Sequence, residues 1–324
     1  MSTSLFTHPV FLEHDTGTGH PERADRLRAI ERVLEHDLFD ELKRVEATRI
    51  DPALIEYAHP DSYREMLESA SPSEDIIYLD GDTIMSPRSL EAAYHAVGAL
   101  HDAVDQVIGG EANNAFCAVR PPGHHAESLR PMGFCLFNNI AIAAKYARDK
   151  HGAERVAVVD FDVHHGNGTQ EIFWDDKDLL YASTHQMPLY PGTGAITETG
   201  VGNIFNAPLR EGDGGDKLRE AFNEKLLPAI TEFSPDLLLI SAGFDAHADD
   251  PLAGLRMQEG DFARVTQKLV DNPGEIAWVT QKLVDLADVK CGGRVVSALE
   301  GGYDLTSLAK SVAVHVKVLM DAGN

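Results

Sequence analysis

Arg155-Val156-Ala157-Val158-Val159-Asp160-Phe161-Asp162-Val163-His164-His165-Gly166-Asn167-Gly168 passes from an apolar run into a polar turn. The first half, Arg155–Asp160, reads as a strand covered on both faces, the near-continuous apolarity that parallel sheets show. Asp160 and Asp162 stand two apart, so extended backbone puts them on one face, and His164 continues the period as the chain leaves the strand. A plainer reading competes with this: a hydrogen-bonded, helix-capping turn in which Gly166 and Gly168 supply the tight geometry. Three coincident polar positions behind an apolar strand favour a site.

The same alternation extends in both directions. Strands are expected at Ala115–Val119, Leu179–Ser183, Asp236–Ser241 and Arg294–Leu299, with helices at Pro21–Glu35, Ser89–Val107, Phe137–Lys150, Asp216–Thr231 and Leu305–Leu319. Pro21 is read as an N1 proline. Strand–helix units of this kind build an α/β domain around a parallel sheet, and with no low-complexity linker a single domain over 1–324 is expected. One oddity stands out. Val265–Asp271 (Val-Thr-Gln-Lys-Leu-Val-Asp) recurs at Val279–Asp285, and Asn272-Pro273-Gly274 should break the chain between the copies, giving two helices or a bulged-out copy.

Composition narrows the function. The 324 residues carry 28 Lys+Arg against 52 Asp+Glu, a net charge of −24, which argues against a nucleic-acid partner because such binding replaces condensed cations with Lys and Arg. No apolar window reaches the roughly 18 residues of a membrane span, and Met1–His14 has no basic-then-apolar leader, so a cytoplasmic location without membrane contact is expected. Cys117, Cys135 and Cys291 form no CxxC pair and read as core thiols, whereas 15 histidines are a conspicuous excess of a metal-ligating, near-neutral base.

Three further clusters follow expected strands. Arg120-Pro121-Pro122-Gly123-His124-His125 carries tandem imidazoles whose pKa values repulsion would separate, leaving one neutral as a base; two solvated loop histidines are the bland alternative. Ser241 to His247 carries Asp245, followed by Asp249-Asp250-Pro251-Leu252, and Glu300-Gly301-Gly302-Tyr303 carries a hydroxyl. Alone, such an Asp caps a helix and such a Tyr packs. All four clusters, however, lie just beyond carboxyl ends of strands, where open parallel sheets bind ligands. Asp162, His164 and Asp245 make a three-ligand set with an open position, the stoichiometry of catalytic zinc, although this oxygen-rich set also suits Fe(II), Co(II) or Mn(II). With a His to take a water proton and Tyr303 to meet an oxyanion, the set suits amide hydrolysis.

These residues resemble the zinc-dependent deacetylases of the arginase–deacetylase fold, specifically the class II histone deacetylase-like amidohydrolases. The similarity runs from Gly17-Thr18-Gly19-His20-Pro21-Glu22-Arg23 through Arg120–His125, Gly133-Phe134-Cys135, Val159–Gly168, Tyr190-Pro191-Gly192-Thr193-Gly194 and Ala242–Asp245 to Glu300–Tyr303. It implies one α/β domain around a largely parallel, eight-stranded sheet. It further implies Zn²⁺ on Asp162, His164 and Asp245, His124 and His125 as general acid/base pair oriented by Asp160 and Asn167, and Tyr303 polarising the carbonyl. Asn167 matches class II, where class I carries a carboxylate. Phe134 and Tyr190 would wall an acyl-lysine tunnel with Gly133 and Gly302 beside it and Leu252 at its rim. A structural K⁺ would sit against Asp160, Asp162, His164 and Ser183, and Arg26 matches an arginine near the acetate exit.

The expected activity is removal of acetyl or short acyl groups from Nε-acyl-lysine or a related acylated amine. An acetylpolyamine amidohydrolase is the alternative substrate class; Leu252, where an acidic rim group would grip the distant ammonium, favours acyl-lysine. A binuclear manganese ureohydrolase would need more bridging carboxylates, and a binding module without turnover is the non-enzymatic alternative. Oligomeric state is not legible in the sequence.

Overall fold

Runs such as Val156-Ala157-Val158-Val159 and Leu237-Leu238-Leu239-Ile240 leave no polar face for water, so they can only be interior strands of a sheet covered on both sides. The computed structural model describes residues 2–258 and 274–323 and builds its core on these runs. In chain order the strands are β1 (Thr3–Thr7), β2 (Lys43–Glu46), β3 (Ile77–Tyr78), β4 (Ile84–Met85), β5 (Asn114–Cys117), β6 (Val156–Asp160), β7 (Leu179–Gln186), β8 (Ile204–Leu209), β9 (Leu237–Ala242) and β10 (Val295–Leu299). Eight form one sheet in the order β2-β1-β5-β10-β9-β6-β7-β8, with every pairing parallel, while β3 and β4 make a small antiparallel hairpin. Helices α1 (Asp25–Leu34), α2 (Asp61–Ala70), α3 (Ser89–Ile108), α4 (Asn139–His151), α5 (Asn167–Phe173), α6 (Gly215–Ala221), α7 (Leu227–Phe233), α8 (Glu275–Cys291) and α9 (Leu305–Ala322) make the crossovers and flanking layers.

The sheet order positions the site. β5, β10, β9 and β6 are four consecutive central strands, and they are the strands that precede the four polar clusters. Register keeps their carboxyl ends level: Cys117 lies opposite Ala298, Leu299 opposite Ala242, and Asp160 opposite Ser241. Parallel pairing thus converts clusters up to 183 positions apart, from Arg120 to Tyr303, into neighbours along one sheet edge.

The five expected strands are present, each shifted by a residue or a few, and three sheet strands were not anticipated. β1 is Thr-Ser-Leu-Phe-Thr, with polar residues at both ends, β2 is the charged run Lys-Arg-Val-Glu, and β8 contains Pro208. β2 and β8 are the two edges, where charge and proline are tolerated because one side of the strand needs no partner. The helix expected at Pro21–Glu35 is shorter: α1 opens at Asp25, not at Pro21. The Glu22 carbonyl accepts from the Thr16 hydroxyl instead of a helical N–H, and the Glu22 side chain is drawn inward by Arg120 and Arg26. The stretch expected at Asp216–Thr231 is two α-helices, α6 and α7, joined by a π turn at Phe222–Leu226. The second copy of the repeat, Val279–Asp285, lies within α8; the first, Val265–Asp271, is outside the described residues. All three cysteines are buried free thiols, and among the described residues no helix is long and apolar enough to cross a membrane.

Candidate active site

Beyond the end of β6 the chain must turn sharply beneath two other loops, and glycines make room for it. A side chain at Gly243 would stand 2.0 Å from an Asp162 carboxylate oxygen, and one at Gly301 would stand 2.0 Å from Asp245 Oδ2 and 2.6 Å from Asp162 Oδ2. Only bare backbone lets the β9 and β10 loops close over the acidic residues. The Gly301 N–H then donates to Asp162 Oδ2 at 2.8 Å, and the Val163 N–H donates to Asp245 Oδ1 at 2.8 Å.

Asp162, His164 and Asp245 converge there, all buried, with one ligand atom from each lying within 4.8 Å of the others. His164 presents Nδ1, 3.1 Å from Asp162 and 3.2 Å from Asp245. Burial and the neighbouring Asp162 charge push the Asp245 carboxyl up to about 7. Burial opposes a charge on His164, yet its bonds to both carboxylates raise it to about 10. Two carboxylates forced together and out of water call for a positive counter-charge, and two carboxylates with one imidazole are a donor set that suits a divalent cation. Among the described residues this is the one cluster of His, Cys, Asp and Glu with metal-ligand spacing.

The tandem histidines from the β5 loop stand beside this cluster, their rings 4.0 Å apart. His124 Nδ1 lies 2.9 Å from Asp160, whose carboxylate also accepts from the Tyr181 hydroxyl at 3.0 Å. His125 Nδ1 lies 2.9 Å from the Asn167 side-chain oxygen. The two environments diverge as expected. Burial alone would lower His124, but the Asp160, Asp162 and Glu300 carboxylates raise it to about 10, whereas burial and the adjacent His124 and His164 charges drive His125 well below its usual value. One imidazole is held charged and the other neutral.

Above them opens a pocket of about 340 Å³ lined by His125, His164 and Tyr303 at its base and by Gly133, Phe134, Tyr190 and Leu252 along its walls. Burial, with Asp245 nearby, keeps the Tyr303 phenol protonated far above neutrality. Gly302 does not line the pocket: it sits behind Tyr303 at φ +121°, and its carbonyl accepts from Arg26 Nε at 2.6 Å. Arg26 also lies over the Tyr303 ring at 5.0 Å and pairs with Glu22 at 3.1 Å. Ser183 lies opposite Asp160 in the β6–β7 pairing, its hydroxyl 2.9 Å from His185.

The structure adds residues that sequence reasoning passed over. Asp82, His20, Pro21 and Leu189 also line the pocket, Asp82 as an acidic wall group from the turn of the β3–β4 hairpin. Glu300 accepts from the Gly123 and His124 N–H groups at 2.7 and 3.2 Å, and Asp250 accepts from the Tyr303 N–H at 2.7 Å. The Gly17–Arg23 motif pointed to the His20 wall, and Asp250 and Glu300 stand in the clusters that carry Leu252 and Tyr303, though nothing there marked their backbone contacts; nothing local marked Asp82 or Leu189.

Comparison with known proteins agrees with this geometry. The histone deacetylase domain family matches residues 20–276. The chain is 40% identical to histone deacetylase 10, chloroplastic, of Oryza sativa subsp. japonica, across 91% of this chain and 68% of that one. It is 36% identical to a probable deacetylase of Archaeoglobus fulgidus, across 94% and 82%. The crystal structure of the HDA15 HD domain superposes with a TM-score of 0.89 at 36% identity, covering 99% of this chain and 88% of that chain. The eight-stranded parallel α/β architecture is shared, and the chain belongs to the histone deacetylase family of deacetylase hydrolases.

Proposed function

We propose that this enzyme is a zinc-dependent amidohydrolase that removes acetyl or other short acyl groups from Nε-acyl-lysine or a closely related acylated amine. The observation that carries the reading is the aromatic-walled pocket itself, lined by a neutral imidazole (His125), a protonated phenol (Tyr303) and His164, with the charged His124 packed against His125 and the buried Asp162 and Asp245 grouped with His164. Asp162, His164 and Asp245 would hold zinc, which when bound supplies a Lewis acid for the amide carbonyl and the attacking water.

The protein's own groups do the rest. His125, kept neutral, is the general base for the attacking water; His124, kept charged, stabilises developing negative charge. The Tyr303 hydroxyl donates to the oxyanion, and Arg26 behind its ring orients it. Phe134 and Tyr190 flank the lysine methylenes, and the walls exclude water from the reacting amide. A structural potassium ion against Asp160, Asp162, His164 and Ser183 belongs to the same reading.

Acetate release from an acetyl-lysine peptide tests it: chelation should abolish turnover, with zinc, Fe(II) or Co(II) restored separately to identify the active ion. Tyr303→Phe should lower kcat about a hundredfold, the usual cost of removing an oxyanion donor. Robust turnover without metal or hydroxyl refutes the proposal. Asp82 on the wall favours one second reading, an acetylpolyamine amidohydrolase in which this carboxylate meets the distant ammonium. A side-by-side panel of acetyl-lysine peptides and acetylated polyamines separates the two.

A further inference from the structure

We infer that Glu127 is a positioning residue that fixes the tautomer of His125 through the side-chain amide of Asn167. The inference rests on the amidohydrolase reading, in which His125 Nε2 takes a proton from water.

An asparagine beside a catalytic imidazole is ambiguous in a way that an aspartate is not. Turned one way its amide offers an oxygen and calls for N–H at His125 Nδ1; turned the other way it offers NH₂, calls for a lone pair at Nδ1, and puts the proton on Nε2, where it blocks base catalysis. Something must choose. Asn167 Nδ2 donates to Glu127 Oε1 at 2.7 Å, and Asn167 Oδ1 faces His125 Nδ1 at 2.9 Å. A carboxylate has only acceptors, so the amide face that meets Glu127 is the NH₂, and the planar group must turn its oxygen to His125. The second amide proton points at the Met132 sulfur, 3.3 Å away, a weak acceptor that could not set the orientation alone.

The backbone holds all three partners in place. Asn167 opens α5, and Glu127 is fastened in its own tight turn by reciprocal backbone bonds with Arg130, at 3.0 and 3.3 Å. A side chain at Gly168 would stand 2.1 Å from the Ala126 carbonyl, so a glycine there is what lets α5 approach the tandem-histidine loop closely enough for Glu127 to reach Asn167. Glu127 is neither a lining residue of the pocket nor a member of the Asp–His–Asp set; its effect passes through Asn167.

Four variants test this. Glu127→Ala should lower kcat at least tenfold with KM nearly unchanged, and Glu127→Gln, whose amide offers a donor as well as an acceptor and so no longer dictates the Asn167 orientation, should recover only part of the loss. Asn167→Asp places two carboxylates face to face, so there the sign reverses: Glu127→Gln added to Asn167→Asp should raise kcat above that of Asn167→Asp alone. In ¹⁵N-histidine spectra the His125 signal, identified by its loss in a His125 variant, should shift toward the Nε2–H tautomer in Glu127→Ala. Wild-type-like kcat in Glu127→Ala, or no gain from Glu127→Gln on Asn167→Asp, overturns the inference. Because wild-type turnover is measured alongside, a failure of the deacetylase reading would appear separately, as a wild type that releases no acetate.

Discussion

Phe134 carries its ring into the pocket wall from a backbone at φ +69°, a left-handed conformation that costs a bulky L-residue roughly 1–2 kcal/mol. Its neighbours hold it there. The Phe134 N–H donates to the Thr83 hydroxyl at 3.2 Å, and the ring meets His20 and Tyr303 edge-on at centroid distances of 4.7 and 6.0 Å. Gly133 before it, at φ +56°, passes so close to His125 that an added Cβ would lie 2.4 and 2.7 Å from its imidazole and 2.9 Å from its Cβ. Gly133→Ala should therefore destabilise the fold by about 1–3 kcal/mol and displace His125, lowering kcat more than tenfold. Denaturant titration beside steady-state kinetics checks both, and an unperturbed kcat would show that the ring tolerates the intrusion. Such constraints set the limit of what was legible in the sequence. Asp162 and His164 were readable because they stand two residues apart just beyond the end of one strand. Glu127 and Asp82 carry no mark in the sequence, because the groups that give them meaning are about 40 or more positions away and meet them only after folding.

At the scale of elements, the catalytic loops are joined by carboxylates that accept backbone N–H groups from the neighbouring loop. Glu300 ties the end of β10 to the tandem-histidine loop after β5. Asp250, on the loop after β9, accepts from Leu252 N–H at 3.0 Å and from Tyr303 and Asp304 N–H at 2.7 and 3.3 Å, so one carboxylate steadies two walls of the pocket. Asp250→Ala should lower kcat about tenfold in the wild type yet cost little more in a Tyr303→Phe background, because both changes act through the same hydroxyl. Additive losses in that double-mutant cycle would reduce Asp250 to a general structural role. The fold itself was legible in five of the six interior strands: β5, β6, β7, β9 and β10 are apolar enough to announce themselves, whereas β1, Thr-Ser-Leu-Phe-Thr, carries polar residues at both ends. β2 and β8, at the edges, lacked that signal because a strand with one free side can carry charge or proline.

For the whole molecule, the excess of histidine has a cost beyond catalysis. His14, His59 and His185 are driven to about 4 and His165 and His315 to about 3, in each case chiefly by burial. His315 shows the pattern plainly: its two nitrogens bond Thr280 and Ser297 at 2.8 and 2.9 Å, and its ring packs among Phe116, Phe161 and Phe244. The folded state binds its proton only near pH 3, while the unfolded chain takes it up near 6.5, so above 6.5 there is no penalty and stability drains away between 6.5 and 3. Each such histidine adds a slope approaching ~1.4 kcal/mol per pH unit within that window. His315→Gln should flatten the dependence of unfolding free energy on pH between 4 and 6 by about one proton; an unchanged slope would show that His315 protonates freely in the native state. The position of β10 bears on synthesis as well. It is the last strand of the sheet in sequence yet occupies the middle, between β5 and β9. A nascent chain still held in the ribosome can assemble only two separate half-sheets, each with an open apolar edge, until this segment emerges to bridge them. Completion of the sheet thus waits for β10, and the unbridged halves are the stage at which holding chaperones matter most.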